Sequence, residues 1–204
     1  MKMKHYNIVL TIAGSDSGGG AGVQADIKTI SACGCYAASA ITAVTVQNTL
    51  GVNAVSAVPV DILEGQIDAV LSDIGADAVK IGMLHSSEVV RCVRKMLDKY
   101  NVKNVVLDPV MVSTSGHRLI EEEAIASLVS DLLPRARVIT PNIPEAEILL
   151  GGEQLALQKD LPDAAAAAKD YINEAIIAGA EYEIGHGFGP VKHFYKLWKD
   201  ECQG

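Results

Sequence analysis

An α/β fold, with a mostly parallel central sheet covered by helices on both faces, is what this chain predicts. Three observations carry it. Apolar β-branched runs alternate with helix-periodic stretches five times along the sequence. The 204 residues are enough for one domain with a substantial core. The apolar fraction of 49% argues against disorder.

The elements follow in order. Asn7 to Ala13, NIVLTIA, reads as a buried strand by its apolar run. Gly14 to Gly22 turns the chain, and a helix is predicted from Ala21 to Ala32. Tyr36 to Val46 is the second strand; Gly51 to Val58 alternates weakly and suits a short outlying strand. Asp61 with Glu64 resembles a capping box, ahead of a stripe of Leu63, Ile67, Val70 and Leu71. Ala78 to Met83 is the third core strand, and Ser86 caps a helix whose stripe is Val89, Val93, Met96 and Leu97. Asn104 to Met111 is the fourth. Ile125, Leu128, Val129 and Leu132 mark a helix that Pro134 ends. Arg137 to Thr140 is the fifth core strand, and Glu145 opens a helix through Leu150. After Gly152 no apolar β-branched run is long enough for a core strand, although Ala164 to Ala180 is strongly helical.

Charge and composition exclude several classes. A net charge of −8 argues against a general nucleic-acid binder, which needs a basic surface. Two Phe and one Trp leave little for base stacking, though six Tyr soften that point. No stretch is long and apolar enough to span a bilayer. The N-terminal MKMKHYNIVLTIAG runs into glycines without a small-residue cleavage site, so a first strand is expected rather than a signal peptide. Cys33 and Cys35 are too close for a typical structural zinc pair, and Cys92 and Cys202 do not complement them. Reduced, mostly buried thiols in a cytoplasmic protein are expected. His85, His117, His186 and His193 have no metal-like spacing.

Candidate chemistry gathers where strands end, which in a parallel sheet is where ligands bind. Two segments stand there, Asp108-Pro109-Val110-Met111 and Thr140 to Glu145, TPNIPE. Asp108, Asn142 and Glu145 offer the oxygen ligands that hard cations such as Mg²⁺ prefer, directly or through water. Helix capping by Asn142 with Glu145 at the third helical position explains the same spacing, and the two roles can coexist. The segment Gly14 to Gly22 is neither a Walker A loop nor a dinucleotide fingerprint. It is either a backbone that approaches a ligand and aims amides at it, or an ordinary βα turn. Asp26 falls in the first turns of the following helix, within reach of what the loop encloses. Gln47 ends a strand of small residues, where an amide can read a polar heteroaromatic ring or simply be solvated.

The runs TIAGSDSGGGAGVQADIKT, TAVTVQNT, KIGML, VVLDPVM and ITPNIPEAE together closely resemble the hydroxymethylpyrimidine/phosphomethylpyrimidine kinases of thiamine biosynthesis, in the ribokinase-like superfamily. LPDAAAAAKDYI and IGHGFGPVKHF extend the likeness, so that it covers nearly all of the chain. The resemblance implies ATP-dependent phosphorylation of 4-amino-5-hydroxymethyl-2-methylpyrimidine and then of its monophosphate, with Mg²⁺, in a cytoplasmic homodimer. It places Gly14, Asp26, Gln47, Met83 and Val110 around the pyrimidine, and Asp108, Asn142 and Glu145 at the metal and phosphate region.

One part of the family pattern is absent. The family carries further strands and a Gly-Thr-Gly-Cys segment whose amides form an anion hole and whose Cys is the base. No cysteine of this chain lies in that context, so no catalytic residue is carried over. The expectation is a single ribokinase-like domain over residues 1–204, lacking C-terminal strands, with an internal gap near Gln154-Leu155. Two explanations stay open: the enzyme carries the segment and these 204 residues omit it, or the polypeptide is this short and does not catalyse. Rivals are a pyridoxal kinase of the same fold, a non-catalytic pyrimidine-binding protein, and an inactive truncated form.

Overall fold

The computed structural model describes residues 6–111 and 120–150. The Ala-rich helix, Cys202, His117, His186, His193 and the junction near Gln154 lie outside them. The chain runs β1 (Ile8–Ser15), α1 (Gly22–Ala32), β2 (Tyr36–Asn48), β3 (Gly51–Ala57), α2 (Val60–Ala69), β4 (Ala78–Ile81), α3 (Ser87–Lys99), β5 (Val105–Leu107), α4 (Glu122–Ser127), β6 (Val138–Ile139) and α5 (Ile143–Leu150). The strands form one six-stranded sheet in the order β3-β2-β1-β4-β5-β6. All neighbours are parallel except the β2–β3 pair, which makes β3 an antiparallel edge. The predicted α/β fold and the outlying strand are both present.

Period-two patterning decides which side of the sheet is the core. Leu10 and Ile12, Ala38 and Ala40, Val79 and Ile81, and Val105 and Leu107 are buried on one face. Against them pack Leu63 and Ile67 of α2 and Val89, Val93, Met96 and Leu97 of α3. Helices α2, α3 and α4 lie side by side there, whereas α1 packs on β1 and β2. The chain moves one way from β1 to β2 and the other way from β2 through β4 to β6. Right-handed crossovers therefore put α1 on the opposite face. The strand order reverses between β1 and β4, and the carboxyl ends of those strands open a crevice.

Three local expectations are corrected. The capping box at Asp61 does not form: α2 begins one residue earlier, behind Pro59, with no side-chain cap. Asp61 sits in its first turn, and Glu64 instead pairs with Lys95 at 2.7 Å. Val129 is exposed although Leu128 and Leu132 are buried. The chain takes π-helical geometry at Leu128–Leu132, where the 3.6-residue spacing that puts Val129 on the stripe no longer holds. Strand β5 is only three residues long, because Pro109 has no amide to continue the ladder.

Candidate active site

The crevice is a cavity of about 310 Å³. Gly14 and Asp16 reach it from the end of β1, Asp26 from α1, Gln47 from β2, Lys80 and Met83 from β4 and its loop, and Asp108 and Val110 from the loop after β5. Five elements thus deliver one wall each. All five residues expected around a ring, Gly14, Asp26, Gln47, Met83 and Val110, line this space together with Asp108.

The glycine loop is built around a carboxylate that sequence reasoning missed. Asp16 is buried. Its Oδ1 accepts from the Gly18 amide at 2.7 Å, and its Oδ2 accepts from Gly20 at 2.9 Å and Ala21 at 2.8 Å. The amides that glycine spacing suggests for a ligand are therefore spent on the chain's own Asp16. What the loop gives the cavity is close backbone approach. Gly22, at φ +56°, would put a Cβ 2.2 Å from the Gly14 carbonyl oxygen, so only glycine closes the loop.

Ring-side residues are held from behind. A Cβ on Gly14 would come within 2.6 Å of Met83 Cε, so the missing side chain is space that Met83 uses. Thr42 donates to the Met83 carbonyl at 2.8 Å. The β2–β3 ladder shifts register between Val46 and Gln47, where β3 carries the extra residue Asn53 and Gln47 pairs with Val52. The Ser17 hydroxyl donates to the Gln47 carbonyl at 2.7 Å and accepts from its amide at 2.8 Å. The Gln47 Oε1 lies 3.2 Å from the Thr45 hydroxyl. Asp26 accepts the Thr11 hydroxyl at 2.6 Å and the Lys80 ammonium at 3.1 Å.

On the phosphate side, burial raises the Asp108 carboxyl above its ordinary range. The Lys80 charge opposes that shift, while Glu145 and Asp26 add to it. Asn142 and Glu145 make the reciprocal capping box: Asn142 Oδ1 accepts from the Glu145 amide at 2.9 Å, and Glu145 Oε2 from the Asn142 amide at 2.9 Å. Glu145 Oε1 accepts from the Met111 amide at 3.3 Å, which ties the loop after β5 to α5. Among the described residues no three His, Cys, Asp or Glu side chains are grouped to hold a metal ion.

Lys80 was also missed, although its signal was legible: one lysine inside the apolar run AVKIGM. A charge in that position needs partners.

Residues 16–156 match the model of the phosphomethylpyrimidine kinase family. The chain belongs to that family. A hydroxymethylpyrimidine/phosphomethylpyrimidine kinase of Rhizobium meliloti (strain 1021) is 38% identical over 264 aligned positions, which take in 95% of this chain and 99% of the relative. An alignment of 264 positions cannot be filled by 204 residues, so the relative has stretches without a counterpart here. The Bacillus subtilis (strain 168) enzyme of the same name is 52% identical over 70% of this chain, which spans about half, 52%, of that relative. A phosphomethylpyrimidine kinase crystal structure from Clostridium difficile 630 superposes with TM-score 0.67 at 48% identity, covering 82% of this chain and 69% of that one. A Staphylococcus aureus pyridoxal kinase in complex with pyridoxal gives TM-score 0.67 at 36% identity, covering 82% and 60%. The resemblance read from the motifs is borne out: the fold is ribokinase-like, and the family is one of phosphotransferases.

Proposed function

We propose that this chain carries the substrate site of an ATP-dependent kinase that phosphorylates 4-amino-5-hydroxymethyl-2-methylpyrimidine and its monophosphate in thiamine biosynthesis. The observation that supports this best is the meeting of Gly14, Asp26, Gln47, Met83, Val110 and Asp108 around one cavity at the strand-order reversal. A flat ring lies between the Met83 thioether, which packs over Gly14, and Val110. The Gln47 amide, a donor and an acceptor on one group, reads the aminopyrimidine edge. Asp26 accepts a hydrogen bond from the ring side. The pyridoxal reading is kept second because pyridoxal kinases share the fold at lower identity, 36% against 48% for the phosphomethylpyrimidine kinase.

The phosphate side fits a divalent cation. Asp108 is a half-buried carboxylate whose ionisation is opposed by burial and by Glu145 and Asp26, and only in part favoured by Lys80, so a divalent cation beside it would relieve that cost. Asp108, Asn142 and Glu145 would serve Mg²⁺ and the phosphates, Asp108 and Glu145 through water. When bound, the ion would neutralise charge on the phosphates of ATP. The chain's own residues contribute positioning and charge, which is most of what phosphoryl transfer asks of a protein. No base is assigned, because the Gly-Thr-Gly-Cys segment has no counterpart in this sequence.

We place the protein in the cytoplasm as a homodimer. Free Cys33, Cys35 and Cys92 agree with the first, although only Cys92 of these is buried and Cys33 is exposed, against the expectation of mostly buried thiols; the exposed Val44 and Val46 on the β2–β3 arm agree with the second. Among the described residues no helix is long and apolar enough to cross a membrane.

Calorimetry with the pyrimidine and with pyridoxal, followed by ATP turnover, tests the reading. The expected result is tighter binding of the pyrimidine, with turnover only in a chain that also carries the Gly-Thr-Gly-Cys segment. Preference for pyridoxal, or no binding of either, would overturn it. Turnover by these 204 residues alone would overturn the assignment of the base to the absent segment.

A further inference from the structure

Lys80 belongs to neither the ring contacts nor the phosphate contacts, yet it touches both. It is the third residue of β4, and its neighbours Val79 and Ile81 face the core while it faces α1. Its ammonium lies 3.1 Å from Asp26 Oδ1, 3.1 Å from Asp26 Oδ2 and 3.6 Å from Asp108 Oδ2. The two carboxylates come from different elements, α1 and the loop after β5, so the lysine is what joins them. Asp26 takes a third contact, the Thr11 hydroxyl at 2.6 Å, and Thr11 is fully buried on β1. The Asp26 carboxylate is thus held from β1 and from β4 at once.

The backbone makes room for this arrangement. Two residues along the same face of the strand path stands Gly82. A Cβ there would lie 3.0 Å from the Lys80 ammonium and 3.0 Å from the Ala13 Cβ. Glycine at 82 and alanine at 13 leave the corridor through which the lysine head reaches the carboxyl edge of the sheet. The cavity wall includes Lys80, Gly82 and Ala13.

We propose that Lys80 is a positioning residue: its ammonium clamps Asp26 and Asp108 in one fixed relation, so that the ring end and the phosphate end of the site are set by a single cation. The inference rests on the kinase reading above. Without the cation, two carboxylates of like charge share a half-buried space and turn away from each other. Asp26 then loses the orientation in which it meets the pyrimidine.

The test is calorimetric titration of 4-amino-5-hydroxymethyl-2-methylpyrimidine into the full chain, with thermal unfolding of every variant alongside. K80M is expected to weaken binding by roughly ten- to a hundredfold, the range for a hydrogen bond to a charged group. G82A keeps the charge but crowds the lysine head, and weakens binding without removing any polar group. D26N/K80M is expected to bind no worse than D26N, because Lys80 acts through Asp26. A merely structural lysine would leave the two losses additive, which would overturn the proposal. Wild-type affinity in K80M would also overturn it, and so would wild-type affinity in G82A, which carries the test alone should K80M fail to fold. In each of those outcomes the wild-type chain binds the pyrimidine, so the kinase reading stands. No binding by the wild-type chain overturns that reading and this inference together.

Discussion

Gln47, proposed to read the ring edge, has its backbone held by one neighbouring side chain. The partner strand β3 carries an extra residue, Asn53, beside it, and the Ser17 hydroxyl clamps both of its peptide groups, so the side chain is presented by a fixed backbone. Gln47→Ala should weaken pyrimidine binding by roughly 1–3 kcal/mol, the cost of a polar contact left unmade. Unchanged affinity by calorimetry would take Gln47 out of the site. His85, by contrast, tests stability. Its Nδ1 is buried without a hydrogen-bond partner among the described residues. Burial lowers its pKa below the ordinary 6.5, and Glu121 opposes that only in part. The folded imidazole therefore stays neutral where the unfolded one takes a proton. Stability is unaffected above pH 6.5 and falls as pH drops from there toward the folded value, below which the loss is complete. The urea midpoint should accordingly drop further between pH 7.5 and pH 5.5 in the wild type than in His85→Asn, to about the degree that one buried imidazole sets. Parallel pH profiles would contradict this.

At the scale of elements, the loop between β1 and α1 is the most constrained piece of the site. Gly22 has a positive φ and no space for a Cβ beside the Gly14 carbonyl. Gly22→Ala should lower the unfolding midpoint by at least about 1–3 kcal/mol of stability and loosen the turn that Asp16 holds. A variant as stable as the wild type by urea unfolding would show that the loop has slack which the 2.2 Å approach denies. Elements of this kind also show what the sequence could reveal. Strand and helix positions were legible because burial is periodic: Val89, Val93, Met96 and Leu97 lie on one face, as their spacing requires. The Ser86 cap was legible because a hydroxyl before an apolar stripe has one obvious use, and it accepts from the Val89 amide at 3.3 Å. Asp16 was not legible, since nothing local says that a carboxylate will fold back onto three amides of its own turn. The Asp61 box failed for a related reason. A three-residue spacing is necessary for a capping box, but Pro59 fixed where the helix began.

Across the whole molecule, the proposed homodimer would couple assembly to the proposed site through the β2–β3 arm. Val44 and Val46 lie two residues apart on one face of β2, 52% and 59% exposed, and among the described residues β3 is an edge strand with no further strand beside it. Adjacent exposed valines beside an open edge are a surface that association covers. The next residue along that strand is Gln47, which lines the cavity, so the arm that would be buried between subunits also carries the amide proposed to read the ring. Burying the arm in the proposed dimer would remove freedom that Gln47 would otherwise lose on binding substrate, so part of the ordering cost would be met before the ligand arrives. Val46→Asp should therefore do two things. Sedimentation velocity should show the dimer giving way to monomer, since a carboxylate in an apolar contact is not compensated. Calorimetry on the same sample should show weaker pyrimidine binding, although position 46 lines no part of the cavity. A wild-type chain that sediments as a monomer at every concentration would remove the dimer. A monomeric variant with undiminished affinity would keep the dimer and remove its link to Gln47.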